Sequence, residues 1–438
     1  MKISQVCQEE CICTRTGTQL SHRPQLYVYP IKSLRPTRIT EGTLTPRGLP
    51  YDRRFMLLKV ETSRDGDEDT TLKNMQIAHF PEMALFQTDI DADAGTVVVT
   101  YNPPSSDGEE AKNASRRIEI PLDPDVNDLQ LRRLDIDLHK SPTTGYDMGA
   151  RYNDWFSGCF GYPVVLAYLG SHSREVLGRF APSKQKRAQS WNSPLYIQGV
   201  GGLVFLVGIC LANGMRLLER IIDGGMPSET LRIPAVILAS LGLASYYFFR
   251  HEKKDQITFA DCAPYLVISE TSVANVSGRL PDGVEMDLTK FRPNIVVSGA
   301  ETAFEEDFWS TLTIGPARTR LRLTANCLRC QSLNIDFTTG KMNSGSGNVL
   351  KTLMSDRRVD PGVKYSPVFG RYSFLDPKCT EGKIRVGDEV VVEERALERT
   401  VFGEFCAVVS QGDADLCRLA WFDQLGENSG GLLVGIRW

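Results

Sequence analysis

Between residues 26 and 168, apolar positions alternate with polar ones in short runs, each closed by turn-forming residues. L-Y-V-Y-P-I-K-S-L starts as a strand and meets a proline. R-R-F-M-L-L-K-V, M-A-L-F-Q-T-D-I, G-T-V-V-V-T-Y and R-R-I-E-I-P-L follow, separated by pieces such as D-A-D-A-G and N-P-P-S-S-D-G. A period of two with Gly, Pro, Asp and Asn at the breaks predicts strands joined by turns, and many short strands predict a barrel-like or sandwich domain. One stretch departs from this pattern: D-M-G-A-R-Y-N-D-W-F-S-G-C-F predicts a helix with Trp155 and Phe156 on its core-facing side.

The pattern then changes. Residues 195–215 and 233–249 are runs of 21 and 17 residues without a charge. A helix needs about 20 apolar residues to cross a bilayer, so the two runs predict a transmembrane hairpin. Arg174, Arg179, Lys184, Lys186 and Arg187 precede it, and Arg250, Lys253 and Lys254 follow it. Basic outer flanks place both neighbouring segments on the cytosolic side, with Tyr246, Tyr247, Phe248 and Phe249 as an interfacial belt. A pair of buried core helices is the competing reading, supported by the glycines and Asn213 of the first run.

From Thr258 the strand pattern returns in P-Y-L-V-I-S-E-T-S, P-N-I-V-V-S-G, R-L-R-L-T-A and G-D-E-V-V-V-E-E. Short helices fit S-V-A-N-V-S-G-R-L and N-V-L-K-T-L-M-S-D. The fold class is therefore mainly β with some α. Its blocks are a disordered leader (1–25), a β domain (26–168), a basic linker with the hairpin (169–257), a second β domain (258–392) and a tail without clear pattern (393–438).

With 438 residues the chain can bury two or three cores. A net charge of −4 without a basic stripe gives no sign of nucleic-acid binding. Eleven cysteines without repeated spacing, and an opening M-K-I-S-Q-V-C-Q-E-E-C-I-C that is no signal peptide, point to free thiols in a reducing compartment.

The chemistry concentrates in T-A-N-C-L-R-C-Q-S-L-N, with Cys327 and Cys330 two residues apart. A structural zinc needs four ligands, and none of the five histidines is paired at ligand spacing. A dithiol redox pair belongs at a helix N-terminus, whereas apolar and β-branched flanks here suggest a loop between strands. A third reading is a single thiolate, favoured in its ionised form by Arg329, on a soft metal. One protein ligand cannot hold a bare ion tightly, so the metal would arrive chelated in an organic cofactor. If that cofactor carries a phosphate, Lys32 and Ser33, Arg53 and Arg54, and Arg292 are candidate anchors, each at a strand end.

Together these pieces resemble the MOSC family with its N-terminal β-barrel partner domain, and most of all the mitochondrial amidoxime-reducing components. The resembling pieces are Y-P-I-K-S-L and Y-D-R-R-F-M-L, then D-C-A-P-Y-L-V-I-S-E-T-S, F-R-P-N-I-V-V-S-G, C-L-R-C with D-F-T-T-G, and Y-S-P-V-F-G-R-Y followed by I-R-V-G-D-E-V. The resemblance implies a β-barrel domain and a MOSC β-barrel domain holding a molybdenum–molybdopterin cofactor between them. It implies Cys330 as the metal thiolate, with Cys327 nearby but not a ligand. Lys32, Ser33 and Arg54 would hold the cofactor from the first domain, and Arg292, Arg329 and Tyr372 from the second; Arg53 is the alternative to Arg54.

The implied activity is reduction of N-hydroxylated small molecules, with electrons from a cytochrome b5-type donor and its NADH-dependent reductase. The alternative is a carrier of molybdenum cofactor or sulfur without turnover of its own. The hairpin is expected to replace the N-terminal anchor of the animal enzymes, in the mitochondrial outer membrane or the endoplasmic reticulum, with the catalytic domains facing the cytosol. Cys262 and Ala263 stand where relatives have Thr-Ser, and Leu328 where they have a small polar residue.

Overall fold

Strands form where the alternation is cleanest: Phe55–Thr62, Thr96–Tyr101, Arg116–Pro121 and Val390–Arg395. The computed structural model of the chain describes residues 2–3, 25–62, 70–104, 116–177, 180–183, 255–281, 285–343, 345 and 347–401. Over these residues the protein is mainly β with few, short helices.

Two sheets belong to the first half. One runs Arg132–Leu138, Ser141–Asp147, Val164–Tyr168, Phe55–Thr62, Thr70–Asn74, all antiparallel. The other is the meander Phe86–Asp91, Thr96–Tyr101, Arg116–Pro121. The predicted helix spans Ala150–Phe160 and ends at Gly161, whose φ of 79° suits a residue without Cβ. Phe156 is fully buried, and Trp155 packs against the same core, with Phe86 and Phe160 stacked 4.7 Å apart.

The second half builds a larger sheet in the order Val390–Arg395, Trp309–Ile314, Thr319–Leu328, Val368–Leu375, Tyr265–Ser269, Ile295–Ser298, Leu26–Val28, Thr37–Ile39, with Lys2–Ile3 also on Ile295–Ser298. Tyr265–Ser269 and Ile295–Ser298 are parallel, as a crossover connection requires, and helix Glu270–Ser277 lies within that connection.

The halves are interleaved. Leu26–Val28 and Thr37–Ile39 come from the first half but pair into the second-half sheet, and Glu41–Leu44 pairs with Gly382–Arg385. In return, Ile335 joins the core of the first half. The chain crosses between the two sheets at Tyr29–Lys32: Val28 belongs to one sheet, while Ile31 bridges to Phe55 in the other. The candidate site is built at this crossing.

Four readings of the sequence change. In M-A-L-F-Q-T-D-I the strand begins only at Phe86, because Pro81–Leu85 is a 3-10 turn opened by proline. In P-Y-L-V-I-S-E-T-S the strand stops at Ser269 and the helix takes over. The C-x-x-C is not all loop: Cys327 lies inside the strand Thr319–Leu328, and only Cys330 stands beyond it, heading the 3-10 turn Gln331–Asn334. Arg174 is not a solvated flank charge, since its side chain is completely buried.

The chain divides into two compact units, residues 1–182 with 256–438, and residues 183–255. Both uncharged runs fall in the second unit, and the predicted hairpin lies outside the described residues, as do the leader from 4 to 24 and the tail from 402. Among the described residues no helix is long and apolar enough to cross a membrane.

Candidate functional site

The site starts from Y-P-I-K-S. Pro30 ends the strand, and Lys32 then turns inward, its backbone N–H donating to the Phe55 carbonyl at 2.8 Å. Lys32 is buried; its Nζ donates to the Phe259 carbonyl at 3.0 Å and pairs with Asp261. Ser33 is buried beside it with φ 72°.

Y-D-R-R-F supplies the second wall. Asp52 Oδ1 accepts from the Tyr29 backbone N–H at 2.9 Å and from Asn294 Nδ2 at 3.2 Å, while Oδ2 pairs with Arg53. Arg53 also donates to Asn294 Oδ1 at 3.1 Å and stands over the Tyr29 ring. The third wall is F-R-P-N. Arg292 closes the 3-10 turn Leu288–Phe291 at φ 56° and ψ 44°, immediately before a proline. That conformation is doubly disfavoured. Its Nη1 donates to the Leu34 carbonyl at 3.0 Å and its guanidinium lies over Tyr29.

Ser33, Arg53 and Arg292 are thus three non-glycine residues in the left-handed region around one spot. Such strain persists only where the surroundings over-determine it, and it concentrates at functional sites. Burial pushes the Arg292 guanidinium down to about 10, with Tyr29 opposing and Arg53 adding to the shift. Burial also lowers Lys32, against the pull of Asp261. Burial would raise the Asp261 carboxyl, but Lys32 and His139 hold it well below the usual carboxylate range.

The C-x-x-C lies at the end of the same sheet. Arg329 is buried, and its guanidinium donates to the carbonyls of Phe291 at 2.6 Å and Phe369 at 2.6 and 2.9 Å. It therefore fixes the peptide just before Arg292. Cys330 is half-buried, with its Sγ 3.2 Å from Ser332 Oγ. Cys327 is buried and its thiol is pushed up by burial; Tyr372, whose hydroxyl bonds to it, is raised well above the usual tyrosine range by burial and by Cys262. Cys262 is pushed up to about 12 by burial and Asp261.

The structure brings Lys32, Ser33, Arg53, Arg292 and Asp261 together, with Arg329 supporting Arg292 from behind. Asp261 acts electrostatically on Cys327 and Tyr372, and Cys330 also acts on Cys327, which links the cations to the thiols. Arg54 turns the other way, donating to the Gly170 carbonyl at 2.5 Å and the Tyr168 hydroxyl at 3.2 Å. Of the two arginines of Y-D-R-R-F, Arg53 lies in the cluster. The sequence reading missed Asn294, Asp52, Asp261 and His139. F-R-P-N contained a signal for Asn294, a buried amide directly after a proline, but nothing local marked Asp261 or His139 as partners.

This arrangement suits an anion. Among the described residues, the carboxylates that face Lys32, Arg53 and Arg292 are Asp52 and Asp261, and Arg292 Nη2 is buried without an acceptor. Buried N–H groups rarely stay unpaired. Among the described residues, no three of His, Cys, Asp and Glu lie together as a cage for a metal ion.

Comparison with known proteins fits this geometry. The MOSC N-terminal beta barrel domain matches residues 23–163 and the MOSC domain residues 254–391. The chain carries both domains and belongs to the MOSC-domain proteins. It is 40% identical to human mitochondrial amidoxime-reducing component 1 over 141 residues, 31% of this chain and 39% of the human one. It is 40% identical to rat mitochondrial amidoxime reducing component 2 over 139 residues, 31% of this chain and 38% of that one. It is 26% identical to the molybdenum cofactor sulfurase of Arabidopsis thaliana over 372 residues, 83% of this chain but 34% of the plant protein. The chain thus spans under two fifths of the length of each of these relatives.

Proposed function

We propose that the chain binds a molybdenum–molybdopterin cofactor between its two β domains and reduces N-hydroxylated small molecules. The observation that carries this reading is the cation cluster, with Lys32 buried, Arg53 and Arg292 half-buried and Arg292 Nη2 without an acceptor, set at the crossing of the two sheets beside the C-x-x-C. Lys32, Ser33, Arg53 and Arg292 would hold an anionic group from two sides, and Arg329 would keep Arg292 in place. Tyr372 would close the thiol side, and Cys330, the half-buried thiol, would ligate the metal. When bound, the cofactor supplies two-electron redox chemistry at molybdenum. The protein's own work is to neutralise charge, fix the thiolate and exclude water. Electrons would come from a cytochrome b5-type donor and its NADH-dependent reductase.

The test is metal and pterin analysis of wild type beside Cys330→Ala, from a host that makes the cofactor. Near-stoichiometric molybdenum and pterin in wild type, with retained pterin and an altered or lost molybdenum centre in the variant, is the expected result. Folded wild type without molybdenum would overturn it.

A second reading is a carrier of cofactor or sulfur, favoured by the likeness to the plant sulfurase across 83% of this chain. It would show bound cofactor and no turnover with any electron donor.

A further inference from the structure

The strands Arg132–Leu138 and Ser141–Asp147 are joined by only two residues, His139 and Lys140, because Leu138 pairs directly with Ser141. Their φ values are 58° and 61°. Two consecutive positive φ values fit a type I′ hairpin turn, where Asn-Gly or Asp-Gly is the usual sequence. Histidine followed by lysine is strained there, and such strain needs a reason.

The reason is where the turn places His139. Its Nε2 lies 3.2 Å from Asp261 Oδ1, 122 residues away in sequence. Arg174 holds the two together. Its buried guanidinium donates to the Leu138 carbonyl at 2.8 Å, to the Thr258 carbonyl at 3.2 Å and to the Ala260 carbonyl, tying the residue before His139 to the residue before Asp261. Lys32 pairs with the same Asp261 Oδ1, so Oδ2 takes neither of these bonds, and the Asp261 side chain is 56% exposed. The charged groups around His139 are Asp261, Lys32 behind it, Arg174 beneath the turn, and Asp137 and Lys140 on its own hairpin.

We infer that His139 is a positioning residue for proton supply: it delivers a proton onto Asp261, and the carboxyl so formed passes that same proton to the oxygen leaving the substrate. This rests on the reductase reading above. That reaction breaks an N–O bond and consumes two protons and two electrons, releasing water and the reduced nitrogen compound. The electrons come from two equivalents of a one-electron haem-protein donor. The neighbouring groups are poorly suited to store the proton. Asp261 is held ionised and can only relay it, Lys32 is committed to Phe259 and Asp261, and burial keeps Cys262, Cys327 and Tyr372 protonated. Imidazole can both accept and give a ring proton, and His139 is the imidazole held against Asp261.

The test compares wild type with His139→Asn, because Asn tolerates positive φ and so keeps the turn. Molybdenum and pterin content and the melting temperature should be unchanged. Turnover should fall about 100-fold or more, the usual contribution of positioned acid–base groups. The rise of wild-type kcat toward acid should flatten in the variant, and added imidazole should restore part of the rate. Loss of cofactor from the variant, or an unchanged kcat and pH profile, overturns the inference while the reductase reading stands. Cofactor-replete wild type without turnover overturns both.

Discussion

The guanidinium of Arg292 lies 4.4 Å from the centroid of the Tyr29 ring, and Arg53 lies 4.7 Å from the same ring. One buried aromatic thus carries two cations, and only Arg53 has a side-chain carboxylate partner, Asp52. A cation on a desolvated ring gains about 2 kcal/mol, which helps keep two like charges close together without a ligand. Arg292 spends one of its terminal nitrogens on Leu34 and leaves Nη2 for an acceptor that none of the described residues provides. Arg292→Gln should therefore cost cofactor rather than fold. Pterin and molybdenum per mole of purified protein should drop at least about tenfold, for one lost charge-assisted bond of about 1.5–3 kcal/mol. Tyr29→Phe keeps the ring and removes a hydroxyl that has no partner, so it should retain cofactor. Equal retention by Arg292→Gln would show that the cluster does not hold it.

Arg174 should behave in the opposite way. Its guanidinium reaches three carbonyls within 3.2 Å from full burial, and the Asp261 carbonyl at 3.5 Å. Arg174→Met would leave those carbonyls without this donor and should cost about 3 kcal/mol or more. Arg174→Lys should rescue little, because an ammonium cannot span the three acceptors as a planar fork does. Chemical denaturation of the three proteins measures this; a loss in Arg174→Met below about 1 kcal/mol would show that water replaces the guanidinium there.

These two arginines show what the sequence could reveal. Strands were legible because the two-residue period is local, and the helix at Ala150–Phe160 because Trp155 and Phe156 stand on one face of it. The cation cluster was legible only as separate short motifs: Lys32, Arg53 and Arg292 each look like a surface charge until the chain crossing at Tyr29–Lys32 buries them together. Arg174 was misread for the same reason, since a basic residue near an apolar run looks like a topology signal. The contact of His139 with Asp261 had no local signature, because its turn lacks the glycine that would have marked it.

Glu306 offers a pH test away from the site. It is fully buried, Ser272 Oγ bonds its Oε2 at 2.7 Å, and Oε1 has no partner. Burial pushes its carboxyl up from 4.5 to about 7. Below the ordinary glutamate value both folded and unfolded chains hold the proton. Between that value and about 7 the folded chain keeps a proton that the unfolded chain has released, so this group's contribution to stability falls as pH rises and is lost above about 7. Glu306→Gln keeps a polar group for Ser272 and cannot ionise. It should match wild type near pH 5 and exceed it near pH 8 by about 2 kcal/mol. Parallel stability curves for the two proteins across that range would show that Glu306 is already ionised in the fold.

The three thiols of the candidate site should differ in reactivity. The thiolate is the reactive species, and buried thiols that keep their protons are inert. Cys327 is buried and pushed up; Cys262, partly accessible, is pushed up to about 12; Cys330 lies at the strand end against Ser332 and is half-buried. In cofactor-free protein at neutral pH, iodoacetamide should modify Cys330 well before Cys262 or Cys327, as read by mass spectrometry of the peptides. Loading the cofactor should protect Cys330 and leave the other two unchanged, because only a metal-bound sulfur loses its nucleophilic electron pair. Cys327→Ala should keep molybdenum and lose about 1 kcal/mol of stability for a small buried side chain, whereas Cys330→Ala should lose turnover with little change in stability. Protection of Cys327 in place of Cys330 would move the ligand assignment to the other thiol of the motif.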